Sequence, residues 1–175
     1  VYCKYLNRRV FNIKENDFQN RLNTIQGDLV TPPPRLAASS FSHVMANPPY
    51  FEQNSSIESP NAIKAFSNHD NGIGLETWVD FSFRMVKSNG YVSFIFTCDR
   101  LDDLLAAMYG KFGEITLFPL WPKENKKAKR FLIQGRKNVK SPSKMLRGLI
   151  LHRENGEYTT KADNILRKGV AIDFE

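Results

Sequence analysis

Apolar residues recur along this chain at two different periods. Leu6, Val10 and Ile13 stand at helical spacing among polar neighbours, which predicts an amphipathic helix over residues 5–20. Residues 23–29 read as a short strand ending near Asp28, after which Pro32, Pro33 and Pro34 exclude regular structure. Residues 41–46 form the next expected strand. It runs into Asn47-Pro48-Pro49-Tyr50, where the prolines remove backbone donors and turn the chain out of a sheet.

Residues 51–74 hold few periodic apolar positions and many Asn and Ser, so a long loop with one helical turn is expected there. Leu75, Trp78, Val79, Ser82, Met85 and Val86 share one helical face, and Gly90 is the expected left-handed cap. Residues 91–96 are nearly all apolar, as a strand covered on both faces should be. Asp99 is placed to cap a helix carrying Leu101, Leu104, Leu105 and Met108. Beyond Gly110 the pattern predicts strands over 114–120 and 129–134, paired as a terminal β-hairpin, and a short strand over 148–152. A turn at Asn155-Gly156 and a last helix, capped by Thr160 and ending at Gly169, complete the chain. Alternating elements followed by pairing strands indicate an α/β sheet with an antiparallel edge, and 175 residues suit one globular unit.

Composition narrows the class. Two cysteines, Cys3 and Cys98, are too few for a disulfide framework and lack metal-ligand spacing, and the three histidines are scattered. No metal is expected. No apolar run approaches the roughly 20 residues of a membrane span, so a soluble protein of the reducing cytoplasm is expected. The net charge of +7 is concentrated. Lys123, Lys126, Lys127, Lys129, Arg130, Arg136, Lys137 and Lys140 stand against Glu124 alone, and everything outside that segment balances to zero. Such a segment suits phosphate contacts or a solvated hairpin equally.

Asn-Pro-Pro-Tyr would arise by accident in fewer than about one chain in a thousand of this length, so its chemistry matters. The lone pair of an adenine or amide nitrogen is conjugated with its ring or carbonyl and is a poor nucleophile. The Asn47 side-chain oxygen can accept one amino hydrogen, and the Pro48 carbonyl, held extended because Pro49 follows, can accept the other. Acceptors placed in advance stabilise the positive charge that develops on nitrogen during an in-line displacement, with no metal or strong base. Tyr50 offers an aromatic face to a planar substrate.

With this motif the chain resembles the adenine-N6 methyltransferases of the class I S-adenosylmethionine-dependent fold, especially the bacterial family that modifies an adenine of valine tRNA. The resemblance runs through residues 23–29, 41–51, 75–96, 119–137 and 149–167. It implies a Rossmann-like α/β sheet with an antiparallel terminal β-hairpin, S-adenosylmethionine as cofactor and RNA, foremost tRNA, as partner. It also implies catalytic roles for Asn47, Pro48, Pro49 and Tyr50. Asp28, Leu29 and Asn47 would contact the cofactor, and Tyr50, Phe51, Lys126, Lys127, Lys129 and Arg130 the substrate. One departure is plain: the family's glycine-rich strand-to-helix turn and the acidic residue ending its second strand have no counterpart, and Gly72-Ile73-Gly74 follows no apolar strand. The chain is therefore expected to be the carboxy-terminal part of a single methyltransferase catalytic domain, lacking its first strands.

Plainer readings hold elsewhere. His43, His69 and His152 are expected to be packing or surface residues, Asp102 and Asp103 to favour the positive end of their helix, and Trp78 to be core. Trp121 is expected to anchor the hairpin, with base stacking as the alternative. Residues 68–71 suit a turn or a substrate lid equally. The motif also serves enzymes acting on rRNA guanine, DNA adenine or protein glutamine, and an RNA-binding remnant without activity is the non-enzymatic alternative.

Overall fold

The computed structural model describes residues 6–49 and 74–174. Tyr50, Phe51 and almost all of the expected long loop, including residues 68–71, lie outside them. The chain divides into two compact units, Val1–Ala37 and Ala38–Glu175. Among the described residues no helix is long and apolar enough to cross a membrane.

The first unit contains helix α1, Leu6–Glu15, shorter than the periodicity predicts. It is stopped by Asp17 at a left-handed φ of 54° and by a Phe18 amide that returns to the Ile13 carbonyl at 2.9 Å. The strand expected over 23–29 is irregular backbone without a ladder. A strand exists only through its pairing, and no described strand pairs with this stretch, so an apolar pattern alone does not make one.

The second unit carries strands β1 (Phe41–Ala46), β2 (Val86–Thr97), β3 (Phe112–Trp121), β4 (Arg130–Lys137), β5 (Lys144–Met145) and β6 (Leu149–Ile150). Helix α2 (Leu75–Met85) precedes β2, a 3-10 turn (Cys98–Arg100) and α3 (Leu101–Met108) follow it, and α4 (Thr160–Lys168) closes the chain. The sheet order is β1-β2-β4-β3-β5, with β6 also beside β3. β1 and β2 are parallel, β4 is antiparallel to both β2 and β3, and β5 and β6 are parallel to β3. This is the mixed α/β sheet with an antiparallel hairpin that the pattern predicts.

Side chains alternate across the sheet and separate two cores. Val92, Phe94, Phe96, Phe131 and Ile133 pack with Leu75 and Val79 of α2 and with Leu104 and Met108 of α3. On the other face Phe118 and Leu132 pack with Leu149, with Ala162 and Ile165 of α4, and with Phe174. Both faces are thus covered where β3 and β4 meet.

Three expected boundaries move. Gly90 is not a helix cap: α2 stops at Met85, Val86 is extended at φ −77° and ψ 143°, and β2 begins at once. Phe41 pairs with Val86 and His43 with Tyr91, so residues 87–90 bulge out of the ladder, and the left-handed residue is Asn89 at φ 61°. Glycine stands at position 90 for closeness, because a Cβ there would lie 2.8 Å from both the Ser42 carbonyl oxygen and Val86 Cγ2. Asp99 does not cap α3; it lies inside the 3-10 turn, and Arg100 occupies the cap position without a side-chain cap bond. The last helix is capped one residue earlier than expected, by Thr159, whose hydroxyl accepts from the Ala162 amide at 3.2 Å, while Gly169 ends it at φ 67° as predicted.

Candidate active site at the carboxyl end of the sheet

Asn47 and Pro48 follow directly on β1. Pro48 is fully buried and Asn47 exposed, so packing fixes the motif just beyond the end of β1. Ala46 is level with Phe94 of β2, and Thr97 at the end of β2 is level with Arg130 at the start of β4. Two strand spacings sideways and a two-residue offset put the Asn47 and Arg130 backbones roughly 12 Å apart. The Cys98 amide donates to the Lys129 carbonyl at 3.1 Å, tying the end of β2 to the root of the hairpin. The motif and the hairpin tip therefore project from the same end.

The basic segment divides in two. Lys126, Lys127, Lys129 and Arg130 are exposed at the tip, where the Lys126 amide closes a turn onto the Lys123 carbonyl at 3.2 Å. Arg136 and Lys137, read in the sequence as part of the same charge run, lie at the far end of β4 and are used internally. Arg136 donates to the Glu114 carboxylate at 3.0 Å and to the Asn89 carbonyl at 3.2 Å, and its guanidinium lies 5.1 Å from the Tyr91 ring centroid. Lys137 is buried. Neither reading of the basic run fits these two, one paired with Glu114 and the other buried, and both phosphate contact and a solvated surface are left to the tip.

Trp121 anchors the hairpin, its indole donating to the Arg147 carbonyl at 3.0 Å. Trp78 is half-buried rather than core, and its buried indole nitrogen has no hydrogen-bond partner among the described residues. His43 is exposed on β1, with Nε2 2.8 Å from Ser93 Oγ, and the partial desolvation of its ring lowers its pKa. Burial, and secondarily the charge of Asp99, push the Cys98 thiol up, which keeps it protonated and a poor nucleophile.

Asp28 and Leu29 belong to the first unit, and the sheet-end residues to the second. One Asp28 carboxylate oxygen accepts the Val30 amide at 2.7 Å and the Thr31 amide at 3.5 Å, an Asx turn that holds the side chain in a fixed direction. A carboxylate has about four acceptor sites, so this anchoring is compatible with a further bond to an amino group. Of the residues expected to meet S-adenosylmethionine, Asp28 in the first unit thus keeps acceptor capacity suited to an adenine amino group, while Asn47, in the second unit, stands with Pro48 just beyond β1. Nothing in the sequence fits the glycine-rich turn that would hold the methionine end.

No protein-family model matches the sequence, and no curated protein matches it. Among solved structures, the chain is similar to a predicted O-methyltransferase from Agrobacterium tumefaciens, with a TM-score of 0.73 at 21% identity, over 94% of this chain and 72% of that one. A complex of M1.HpyAVI with SAM aligns at a TM-score of 0.37 and 14% identity, over 82% of this chain and 62% of the other, a likeness too low to carry an argument. The first similarity, with the strand order above, shows that the chain shares the open, Rossmann-like mixed α/β fold of that structure.

Proposed function

We propose that this protein is an S-adenosylmethionine-dependent N-methyltransferase of the cytoplasm that acts on the exocyclic amine of an adenine in RNA, foremost tRNA. One observation carries the reading: an exposed Asn47 on a buried Pro48 stands at the same sheet end as a hairpin tip bearing Lys126, Lys127, Lys129 and Arg130. Ligands of open α/β sheets bind beyond the carboxyl ends of the strands, which is where both features lie. The fold alone is silent on whether oxygen or nitrogen accepts the methyl group. The nitrogen acceptor rests on Asn-Pro-Pro-Tyr, and the nucleic-acid acceptor on the charge.

S-adenosylmethionine supplies an electrophilic methyl group. The Asn47 side-chain oxygen and the Pro48 carbonyl accept the two amino hydrogens of the target, turning the nitrogen lone pair out of conjugation. With the methyl group that the cofactor would supply, the amine held by Asn47 and Pro48 would be alkylated on nitrogen and would then lose one proton to solvent. Tyr50 and Phe51 would stack on the base, and the hairpin cations would hold the neighbouring phosphates.

The test is methyl transfer from labelled S-adenosylmethionine to total RNA, DNA and protein, followed by digestion and mass spectrometry. N6-methyladenosine in the RNA is expected. Methylated guanosine, DNA adenine or glutamine would replace the substrate and keep the role of the motif. No transfer to any pool, with no S-adenosylmethionine binding by titration, would leave an RNA-binding remnant as the better account.

A further inference from the structure

The carboxyl ends of β1, β2, β3 and β6 all point the same way, because β4 is antiparallel to both of its neighbours and β6 is parallel to β3. From one side to the other this rim presents Asn47-Pro48, the 3-10 turn, the hairpin tip, and the turn that follows β6. Four strand spacings separate the first from the last, about 19 Å. The last two are one continuous surface. The Leu151 amide donates to the Trp121 carbonyl at 2.8 Å, the His152 amide to the Pro122 carbonyl at 3.1 Å, and the Lys123 ammonium to the Glu154 carbonyl at 2.7 Å.

At the distal end of the rim stand aromatic and cationic groups to which the proposed reaction gives no part. Tyr158 is 37% exposed and stacks on His152, with ring centroids 4.7 Å apart and planes at 22°. The Arg167 guanidinium lies 5.7 Å from the Tyr158 centroid. Arg153, Arg167 and Lys168 line a cavity of about 500 Å³ together with Tyr158, against Glu157 and Asp163, the latter paired with Arg167 at 3.2 Å. Aromatic faces with arginine beside them are what unpaired bases and their phosphates bind.

We propose that the rim is a binding track for single-stranded RNA, running from the acceptor base at Asn47 across the hairpin tip to Tyr158 and Arg153, on one side of the acceptor only. This rests on the acceptor being a nucleobase in RNA, as argued above. A strand stacked at the ~3.4 Å rise of a helix needs about six nucleotides to cover the distance, and an extended one fewer. Within the sheet of the second unit β1 is the edge strand, so the rim extends from the acceptor toward the hairpin and no further strand end lies on its other side.

The test uses single-stranded oligoribonucleotides with one adenosine and a uridine tail of about two to about ten nucleotides on one side or the other. Methylation is measured with the wild-type chain and with Tyr158→Ala and Arg153→Ala, and binding by fluorescence anisotropy alongside. Affinity and kcat/KM should rise with tail length on one side only and level off near six nucleotides. Each substitution should lower both about tenfold for long tails and leave the shortest substrate unchanged. A merely structural role would move all lengths alike, and that result overturns the track, as does equal dependence on both tails or tighter binding of a duplex. If no oligonucleotide is methylated, the reading of the reaction fails, while the anisotropy series still decides the track by the same criteria.

Discussion

The ammonium of Lys137 donates to the carbonyl of Val86 at 2.9 Å, at the point where α2 gives way to β2. It also donates to the Phe83 carbonyl at 2.7 Å and lies 4.4 Å from the Phe83 ring centroid, with Ser39 Oγ at 3.4 Å. The last carbonyls of a helix lack intrahelical partners, and a cation there is doubly favourable. Lys137→Met keeps the apolar stem and removes the donors, so it should cost about 1–3 kcal/mol in urea denaturation. RNA binding should keep its salt dependence. An unchanged denaturation midpoint would show that the buried ammonium caps nothing of consequence.

Lys137 also shows where reading a sequence stops. Its place in a basic run suggests solvent, and only pairing partners some fifty residues away reveal that it is interior. Val86 fits the apolar face of α2 as well as the start of β2, so periodicity alone carried the helix too far. β5 and β6 are two residues each and exist only because β3 offers them a ladder. By contrast β1, the hairpin and the Gly169 cap were legible, because alternation, turn residues and a helix-ending glycine are local signals. The exit of the chain from β1 at Asn47-Pro48 was legible for the same reason, whereas the grouping of Tyr158, His152 and Arg167 with the hairpin depends on a strand junction that no local pattern announces.

The Thr159 hydroxyl does two jobs, accepting from the Ala162 amide at 3.2 Å and donating to the Ile150 carbonyl at 2.7 Å. It thereby joins the start of α4 to the end of β6. Thr159→Ala should destabilise the protein by about 1–2 kcal/mol, and Thr159→Ser should recover most of the loss. Equal loss in both variants would assign the effect to the missing methyl group.

His43, largely exposed, should make stability depend weakly on pH. Partial desolvation lowers its pKa from the ordinary value of 6.5, so the unfolded chain binds the proton more readily. Its contribution is therefore fully present above pH 6.5, and is lost as pH falls from there through the lower folded value. Thermal melts between about pH 7.5 and about pH 5 should show Tm falling toward acid, with a smaller fall in His43→Gln. Parallel curves for the two proteins would remove His43 as the cause.

Asn47 is assigned a role on the acceptor nitrogen. Removing one group positioned for the transition state typically costs about 10²–10³ in rate. Asn47→Ala should therefore lower kcat by that factor, while S-adenosylmethionine affinity, measured by calorimetry, changes less than about tenfold. A loss of cofactor affinity as large as the loss of rate would move Asn47 from the acceptor to the cofactor.

The division of the basic segment makes a sharper test than its total charge. Each phosphate neutralised on a single strand adds about 0.7 to the magnitude of the slope of log K against log salt. If Lys126, Lys127 and Lys129 each contact a phosphate, replacing all three by alanine should reduce that magnitude by about 2. Lys140 follows β4 at the opposite end of the sheet, so Lys140→Ala should leave the slope unchanged although it removes a charge from the same stretch of sequence. A long-range field set by net charge would respond to both substitutions in proportion to the charges removed. A local contact surface responds only to the tip, and a slope indifferent to the tip would make the hairpin a solvated surface.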